Sequence, residues 1–242
     1  MRTELSLKTP LIGILCWEKG YIPRGLEQLE ELPGNSTNLE TFKFPVRYCR
    51  VKGANIHTIL ENPCQNVLQS MIGEAQKLAE QGVRAITTSC GFNAVFQREM
   101  ADSVDVPVFT SSLLQVPLVQ NMLGKQKSVG VITAKKTALT EKHLRSVGIK
   151  NQLSIHIEGL ECCTEWNKIF SSPDEDLNID TVKNEVVQIA CSMMKRADIG
   201  AFVLECTDLP PFADAIRKVT HRPVFDFVTL TNYVYQAINC DL

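Results

Sequence analysis

The stretch Ala85-Ile-Thr-Thr-Ser-Cys90 aligns without a gap with Ala201-Phe-Val-Leu-Glu-Cys206, and this correspondence decides the fold. The same offset of 116 residues, the difference between positions 206 and 90, relates Pro107-Val-Phe109 to Pro223-Val-Phe225. Each copy has an apolar strand that ends at a cysteine, then a helix and a second apolar strand. Each thiol is therefore expected where a strand gives way to a helix, a favoured position for chemistry in open α/β sheets.

The apolar runs predict parallel strands that are covered on both faces. These strand candidates are residues 11–17, 83–89, 106–110, 128–133, 199–204 and 223–228, and the more polar run 44–51 is predicted as an edge strand. Helical patterns occupy residues 64–81, 92–103, 139–147, 181–196 and 211–219. This order predicts an α/β fold with two pseudo-symmetric lobes, each with a central parallel sheet flanked by helices, and an active-site cleft between them. The first lobe would comprise residues 1–112 plus 227–242, and the second residues 113–226.

Composition excludes several classes of function. With 242 residues and 44% hydrophobic content, the chain can bury a sizeable core. A formal net charge of −2 offers no basic excess for nucleic acid. The apolar stretch 10–17 is too short to span a bilayer, and the residues before it lack a signal-peptide pattern. We therefore expect a cytoplasmic protein without a nucleic-acid or membrane partner.

Cysteine usage and the absence of nucleotide motifs bear on cofactors. The nine cysteines show no paired spacing, which favours reduced thiols over a disulfide framework, and the four histidines are scattered, so no metal site is expected. No glycine-rich phosphate-binding motif follows a strand, and no lysine is identifiable as a pyridoxal-phosphate ligand. We predict an enzyme that works without a cofactor.

Cys90 and Cys206 are the candidate catalytic residues, because lobes related by an approximate two-fold axis would present them to the cleft from opposite sides. A base on one face of a substrate carbon and an acid on the other would invert a stereocentre. Such a pair needs one thiolate activated by a helix N-terminus and one partner kept as a thiol. The alternative is packing alone, since free cysteine is among the most buried residue types. Two cysteines at equivalent repeat positions favour the catalytic interpretation.

The motifs Thr87-Thr-Ser-Cys90-Gly-Phe-Asn93 and Leu204-Glu-Cys206-Thr-Asp-Leu-Pro-Pro211 resemble the two strand-end cysteine motifs of the aspartate/glutamate/hydantoin racemase superfamily. That superfamily also contains maleate isomerases and arylmalonate decarboxylases, and the resemblance covers nearly the whole chain. It implies proton transfer by the paired cysteines without a cofactor. It also implies that Thr207 donates a hydrogen bond to the substrate.

Four positions depart from the pattern of the amino-acid racemases. Gly91-Phe92 replaces the usual Asn-Thr after the first cysteine, and Thr207-Asp208 replaces Thr-His after the second. Glu205 stands where a glycine is usual; it could act on the site or face away from it. A carboxylate near the site would discourage an acidic substrate and raise the pKa of a thiol.

Small polar residues near the strand ends are candidates for substrate binding. Thr88, Ser89 and Asn93 flank Cys90, and Asp208 follows the second cysteine. By resemblance, Thr133 and Thr137 would bind the substrate carboxylate, although Thr137 could also be a simple helix N-cap.

These observations favour a racemase or epimerase that acts on a small amino-acid-like or carboxylate substrate by two-base proton transfer between Cys90 and Cys206. One alternative is an enzyme of the maleate isomerase or decarboxylase kind, with one cysteine as nucleophile on a small diacid. Another is a non-catalytic small-molecule binding protein that keeps the two-lobed cleft. An exposed apolar helix face could pair two copies as a homodimer. The loop Pro33-Gly-Asn-Ser36 could be a lid over the cleft or an ordinary connection.

Overall fold

A computed structural model describes residues 10–20, 22–150 and 154–239. The two ends of the predicted first lobe, residues 1–9 and 240–242 with Cys240, lie outside the described residues, as do residues 21 and 151–153. None of the helices in the described part of the chain is long and apolar enough to cross a membrane.

Two parallel four-stranded sheets form the framework. The first contains β1 (Ile12–Cys16), β2 (Val46–Arg50), β3 (Ala85–Thr88) and β4 (Val108–Phe109) in the order β2-β1-β3-β4. The second contains β5 (Ser128–Thr133), β6 (Ile155–Gly159), β7 (Ile199–Leu204) and β8 (Val224–Phe225) in the order β6-β5-β7-β8. The two orders are equivalent, which confirms the predicted pair of pseudo-symmetric α/β lobes.

The register of the central strands repeats as well. Leu15 pairs with Thr88 in the first sheet, and Ile132 pairs with Leu204 in the second. Leu204 follows Thr88 by 116 residues, the offset between Cys90 and Cys206, and Ile132 follows Leu15 by 117 residues. The strands that precede Cys90 and Cys206 therefore end at corresponding points of the two sheets.

Helices cover both sheets and connect their strands. They are α1 (Arg24–Glu30), α2 (Gln65–Glu80), α3 (Gln97–Ala101), α4 (Gln115–Met122), α5 (Glu141–Ser146), α6 (Lys168–Ser171), α7 (Ile179–Arg196), α8 (Ala213–Thr220) and α9 (Phe227–Ile238). Short 3₁₀ helices span Gly91–Phe96, Ser112–Leu114, Lys136–Ala138 and Pro210–Phe212, and a π-helical segment spans Ile56–Glu61. The longest helix, α7, begins where the Asn178 side chain accepts a hydrogen bond from the Thr181 amide. It buries Val182, Val186, Ala190 and Met193 at helical spacing.

The predicted strands and the edge strand are confirmed, β5 and β7 with the predicted bounds and the others with shorter ones. The single helix predicted over residues 92–103 is a 3₁₀ helix followed by the five-residue α3. The strand β6 and the helices α1, α4, α6 and α9 were not predicted. The half-exposed side chains of β6 mask its strand pattern, and α9 is recognisable mainly by the reciprocal cap between Asp226 and Thr229.

The segments that cross between the lobes are tied together. The Gln115 side-chain amide donates a 2.9 Å hydrogen bond to the Asp226 carbonyl, and Ser112 Oγ donates a 2.6 Å bond to the Leu204 carbonyl. The helix α9 then packs against the first sheet, where Phe227 and Leu230 share a core cluster with Ile12. These contacts hold the carboxyl ends of the two sheets against each other.

Candidate active site

The carboxyl ends of the two sheets meet at one pocket. Cys90 and Cys206 each lie two residues beyond the last residue of β3 and β7, and both line this pocket. The pocket has an empty volume of about 590 Å³, including its open mouth. The two cysteine motifs touch directly, since Thr207 Oγ1 donates a 2.6 Å hydrogen bond to the Ser89 carbonyl. Thiols from two different lobes are thus presented to the same small volume.

Cys90 is the extended residue that caps the 3₁₀ helix Gly91–Phe96. Its burial raises the pKa of the thiol well above the ordinary value, and the charge of Glu205 raises it further. The backbone N–H groups of Phe92 and Asn93 donate to the sulfur and lower that pKa. Two amides therefore favour the Cys90 thiolate, while desolvation and a neighbouring carboxylate oppose it.

Cys206 belongs to a hydrogen-bonded chain of side chains. Its sulfur donates to Asp208 Oδ2 at 3.5 Å, and the other Asp208 oxygen accepts a 2.7 Å bond from Asn35 Nδ2. Burial raises the pKa of Asp208 to about 6, although its bonds with Asn35 and Cys206 lower it. Burial, followed by the charges of Asp208 and Glu205, raises the pKa of the Cys206 thiol well above its ordinary value. This thiol keeps its proton unless a positive charge enters the pocket.

Glu205 lies behind the pocket and does not line it, but its charge acts on both thiols. Its side chain is fully buried, with Oε2 accepting a 2.7 Å bond from Thr133 Oγ1 and Oε1 lacking a partner among the residues that the structure describes. Burial raises the pKa of this carboxyl to about 7. A Cβ atom at Gly91 would lie 2.2 Å from Glu205 Oε1 and 2.2 Å from its carbonyl oxygen. Only glycine therefore fits directly after Cys90.

The pocket wall is aromatic and acidic. Its rings belong to Trp17, Phe92, Trp166 and Phe170, and its aliphatic side chains to Ile22, Leu26, Ile56, Leu60, Ala134 and Ile169. The titratable residues that line it are all acids, namely Glu30, Cys90, Cys206 and Asp208. Among the described residues no lysine or arginine lines this wall, although the Lys135 ammonium lies 5.1 Å from the centroid of the Phe170 ring, which leaves Trp17, Phe92 and Trp166 for a ligand. The surroundings thus favour a ligand that carries positive charge.

Trp17 contributes more than a ring face. Its indole Nε1 is a buried donor without a hydrogen-bond partner in the described part of the chain. The indole of Trp166, by contrast, donates to the Ala134 carbonyl at 3.1 Å. Buried donors are nearly always paired in folded proteins, so an unpaired one at a pocket wall is available to a water molecule or to a ligand group.

Glu30 lies at the mouth of the pocket, at the end of α1. Its side chain is 25% exposed and lies 3.9 Å from an Arg50 nitrogen. Burial, followed by the charge of Asp208, raises the pKa of Glu30 to about 7, and Arg50 and Thr37 lower it. Glu30 also borders an open hollow on the surface outside the pocket. It is therefore the acidic group that connects the pocket with solvent.

Contacts between the two lobes lie beside the pocket. Gln28 Oε1 accepts a 2.6 Å hydrogen bond from the Leu177 amide, and Arg24 forms a 2.8 Å ion pair with Asp176. These contacts join α1 of the first lobe to the segment after α6 of the second. The pocket-lining residues Leu26 and Ile169 are held on the two sides of this junction.

The structure brings some of the predicted site residues together and separates others. Five line the pocket: Ser89, Cys90, Cys206, Thr207 and Asp208. Four do not line it: Thr88, Asn93, Thr133 and Thr137. Thr88 Oγ1 donates to the carbonyls of Cys90 and Thr110, at 3.0 and 2.8 Å. Asn93 is buried, and its Oδ1 has no hydrogen-bond partner in the described part of the chain.

The expectation that Thr137 is a helix N-cap is wrong. Thr137 is exposed within the 3₁₀ helix Lys136–Ala138, and its amide donates to Glu161 Oε1 at 3.2 Å. The helix α5 starts later, at Glu141, because Thr140 and His143 form a reciprocal cap. This local pairing outweighs the polar pattern around Thr137.

Four residues of the site were not found from the sequence: Trp17, Glu30, Asn35 and Trp166. Trp17 directly follows β1, so its position at a strand end was a usable signal. Asn35 lies in the loop considered as a lid. Glu30 and Trp166 carried no local signal, because only packing between the lobes brings them to the cysteines. In the described ranges, no three His, Cys, Asp or Glu side chains are grouped so that they could hold a metal ion.

Fold and site together define a two-lobed α/β protein with a cysteine from each lobe at an interlobe pocket. The family model for Asp/Glu/Hydantoin racemase matches residues 58–231. The chain belongs to this family.

Comparison with known proteins adds relatives and structural neighbours. The chain is 27% identical over 235 residues to a dimethylsulfoniopropionate lyase of Durusdinium sp. clade D, covering 94% of this chain and 75% of the lyase. It is 30% identical over 245 residues to dimethylsulfoniopropionate lyase 7 of Emiliania huxleyi (strain CCMP1516), covering 97% and 69%.

Solved structures share the fold at low identity. An allantoin racemase from Pseudomonas fluorescens has a TM-score of 0.63 at 14% identity, covering 93% of this chain and 90% of the racemase. A Gly74Cys mutant of arylmalonate decarboxylase has a TM-score of 0.62 at 16% identity, covering 94% and 93%. The relatives found by sequence and the neighbours found by structure therefore differ in the reactions that their names describe.

Proposed function

We propose that this protein is a lyase that needs no cofactor and cleaves a small sulfonium carboxylate, dimethylsulfoniopropionate or a close analogue, by β-elimination. The observation that carries the proposal is the pocket beside the two thiols, with its aromatic rings, two carboxyl groups and lack of a lining lysine or arginine. The similarity to dimethylsulfoniopropionate lyases supports it.

The wall chemistry suits a sulfonium group. Aromatic faces attract onium cations, and the effect strengthens where water is excluded. Asp208 and Glu30 add negative charge at the same wall. A second carboxylate on the substrate would meet these groups and be repelled, so the acidic amino acids and small diacids considered from sequence are poor ligands.

The substrate carboxylate needs a donor that is not a cation. Trp17 Nε1 is buried at the pocket wall without a partner among residues 10–20, 22–150 and 154–239. A hydrogen bond from this indole to the carboxylate would satisfy both groups. Binding would then hold the carbon next to the carboxylate between the rings and the thiols.

Elimination requires one base and no acid. A thiolate removes a proton from the carbon next to the carboxylate, and the freed electron pair forms the carbon–carbon double bond. The bond from the β-carbon to sulfur breaks with its electrons, and the sulfonium leaves as neutral dimethyl sulfide. Acrylate remains. The substrate's positive charge also favours the thiolate, which offsets the raised pKa of both thiols.

A second candidate follows from the presence of both cysteines in the pocket. Two-base racemisation or epimerisation between Cys90 and Cys206 uses a thiol from each lobe, whereas elimination uses only one. This reaction returns a proton to the substrate and releases no leaving group.

The test is to incubate the purified protein with dimethylsulfoniopropionate and to measure dimethyl sulfide by gas chromatography and acrylate by proton NMR. Both products are expected in equal amounts, and a Cys90→Ala/Cys206→Ala double variant should form neither. In parallel, amino acids, hydantoins and dicarboxylic acids are incubated in deuterated water. Exchange of an α-proton there, without elimination from the sulfonium substrate, would instead establish the racemase.

Two competitors probe the pocket itself. The quaternary ammonium analogue of the substrate should bind at least about tenfold more tightly than its neutral tert-butyl analogue of the same shape. Equal binding of the two would contradict recognition by the rings and carboxylates.

A further inference from the structure

Under the proposed function, on which the inference rests, elimination leaves a proton inside the pocket. Racemisation would return the proton to the substrate, but dimethyl sulfide and acrylate leave without it. The base must therefore lose one proton to solvent in every turnover. Among the described residues that line the pocket, only Glu30 and Asp208 can accept a proton from a thiol and pass it on.

The thiol of Cys206 already has a proton acceptor. Its sulfur donates to Asp208 Oδ2 at 3.5 Å. The 2.7 Å bond from Asn35 Nδ2 to Asp208 Oδ1 fixes the orientation of this carboxyl. Backbone amides donate to the sulfur of both cysteines, but within the described residues Cys206 alone of the two has a side-chain hydrogen bond to a carboxyl group. The two thiols therefore differ in their means of releasing a proton.

Glu30 stands between Asp208 and solvent. Both carboxyl groups line the pocket, and Glu30 alone of the two also borders the surface hollow. The Glu30 side chain is 25% exposed to solvent. Asp208 lies deeper, beside the thiols. The charge of Asp208 acts on Glu30, so the two groups are near enough to influence each other's protonation.

We infer that Cys206 is the base of the elimination and that Asp208 and Glu30 form a proton exit from it to solvent. The Cys206 thiolate takes the substrate proton as the double bond forms and dimethyl sulfide departs. When the next sulfonium substrate enters, its positive charge lets the thiol give this proton to the Asp208 carboxylate, which restores the thiolate. Asp208 passes it to the Glu30 carboxylate, directly or through water, and Glu30 releases it at the mouth.

The charges around both groups suit transfer near neutral pH. Glu30 faces Arg50 on β2, Asp208 after β7 and Glu27 on its own helix, and the balance raises its pKa to about 7. For Asp208, burial dominates over the bonds from Asn35 and Cys206 and raises the pKa to about 6. Glu205 and Cys90 are the other ionisable groups that share this environment, through their effects on Cys206.

The experiment compares Glu30→Gln with wild type by measuring acrylate formation at neutral pH and constant ionic strength over a range of imidazole concentrations. In dilute buffer, kcat of Glu30→Gln should fall about tenfold or more, the scale of one lost proton-transfer group. Added imidazole should raise that kcat towards the wild-type value by carrying the proton itself. Wild-type kcat should not respond to imidazole. A role of Glu30 in binding alone would change KM and give no response to buffer.

Two further variants complete the test. Glu30→Asp keeps a carboxyl group and should retain turnover that does not depend on buffer. Glu31→Gln removes the neighbouring exposed carboxyl, which does not line the pocket, and should behave like wild type. If Glu30→Gln does not fold, Glu30→Ala is measured in the same way, with the same expected loss of kcat and the same rescue by imidazole; an unchanged kcat, or a loss that imidazole does not relieve, would overturn the exit.

The outcomes separate the two claims. Wild-type protein that forms no acrylate would overturn the proposed function, and the exit with it, because no proton would need to leave. Wild-type turnover together with an unchanged kcat of Glu30→Gln, or a loss that imidazole does not relieve, would overturn the exit alone.

Discussion

Replacing Glu205 by glutamine should make the protein's stability less sensitive to pH. The Glu205 carboxyl is fully buried, and burial raises its pKa from 4.5 to about 7. At about 1.4 kcal/mol per pKa unit, this difference corresponds to about 3 kcal/mol between the protonation states. The protonated form is the one that the folded protein favours.

The sign follows from proton uptake. Below the unfolded value of 4.5 the carboxyl is protonated in both states and has no effect on the free energy of unfolding. Between 4.5 and about 7 the folded protein keeps a proton that the unfolded chain releases, so stability falls as pH rises. Above about pH 7 the free energy of unfolding is lowered by nearly the full amount. From about pH 5 to about pH 8 wild type should lose roughly 2.5 kcal/mol through this group.

Urea unfolding of wild type and Glu205→Gln at both pH values measures the effect. The glutamine keeps an oxygen for Thr133 Oγ1, and any cost of its unpaired amide is the same at both pH values, so it cancels from the difference. The variant should gain roughly 2.5 kcal/mol relative to wild type between the lower and the higher pH. Glu80→Gln, an exposed position on α2, should follow wild type. Parallel pH profiles for wild type and Glu205→Gln would refute a buried, destabilising carboxylate.

Three further predictions concern the site. Gly91→Ala should destabilise the protein by about 1–3 kcal/mol in urea unfolding, and Glu205→Ala should not rescue it, because the Glu205 carbonyl would still lie 2.2 Å from the new Cβ. Cys206→Ala should lower the kcat for acrylate formation by about 10²-fold or more and Cys90→Ala by less, whereas the reverse order would identify Cys90 as the base. Trp17→Phe should raise KM by about tenfold, because the N–H donor for the substrate carboxylate is lost. Binding of the trimethylsulfonium ion, which has no carboxylate, should not change. Weaker binding of that ion would instead show that Trp17 binds the cation.

The repeat made most of the fold predictable. Strands buried on both faces are continuous apolar runs, so β1, β3, β5 and β7 are legible without a structure. The duplicated segments also indicated that the two sheets share one topology. Edge strand β6 was missed because its partly exposed side chains weaken the apolar signal. Helices α4 and α9 were missed because they follow the crossing segments, where the repeat gave no helical pattern.

The candidate site was predictable in part. Ser89, Cys90, Cys206, Thr207 and Asp208 follow strand ends, and parallel strands bring their carboxyl ends to one edge. Thr88 and Thr133 also lie at strand ends, but the alternation of side chains turns them towards Thr110 and Glu205. One residue along a strand is enough to move a hydroxyl from a pocket to the core.

By itself, the sequence determined the two-lobed α/β fold and the pairing of Cys90 with Cys206, because the repeat and the strand periodicity are properties of neighbouring residues. Only the tertiary structure decided the character of the pocket. Three residues of its wall come from separate segments, namely Trp17, Glu30 and Trp166, and their position beside the thiols depends on how the lobes pack. The ligand charge that this pocket favours depends on the electrostatic potential of all the groups around it. These groups come together only when the chain folds.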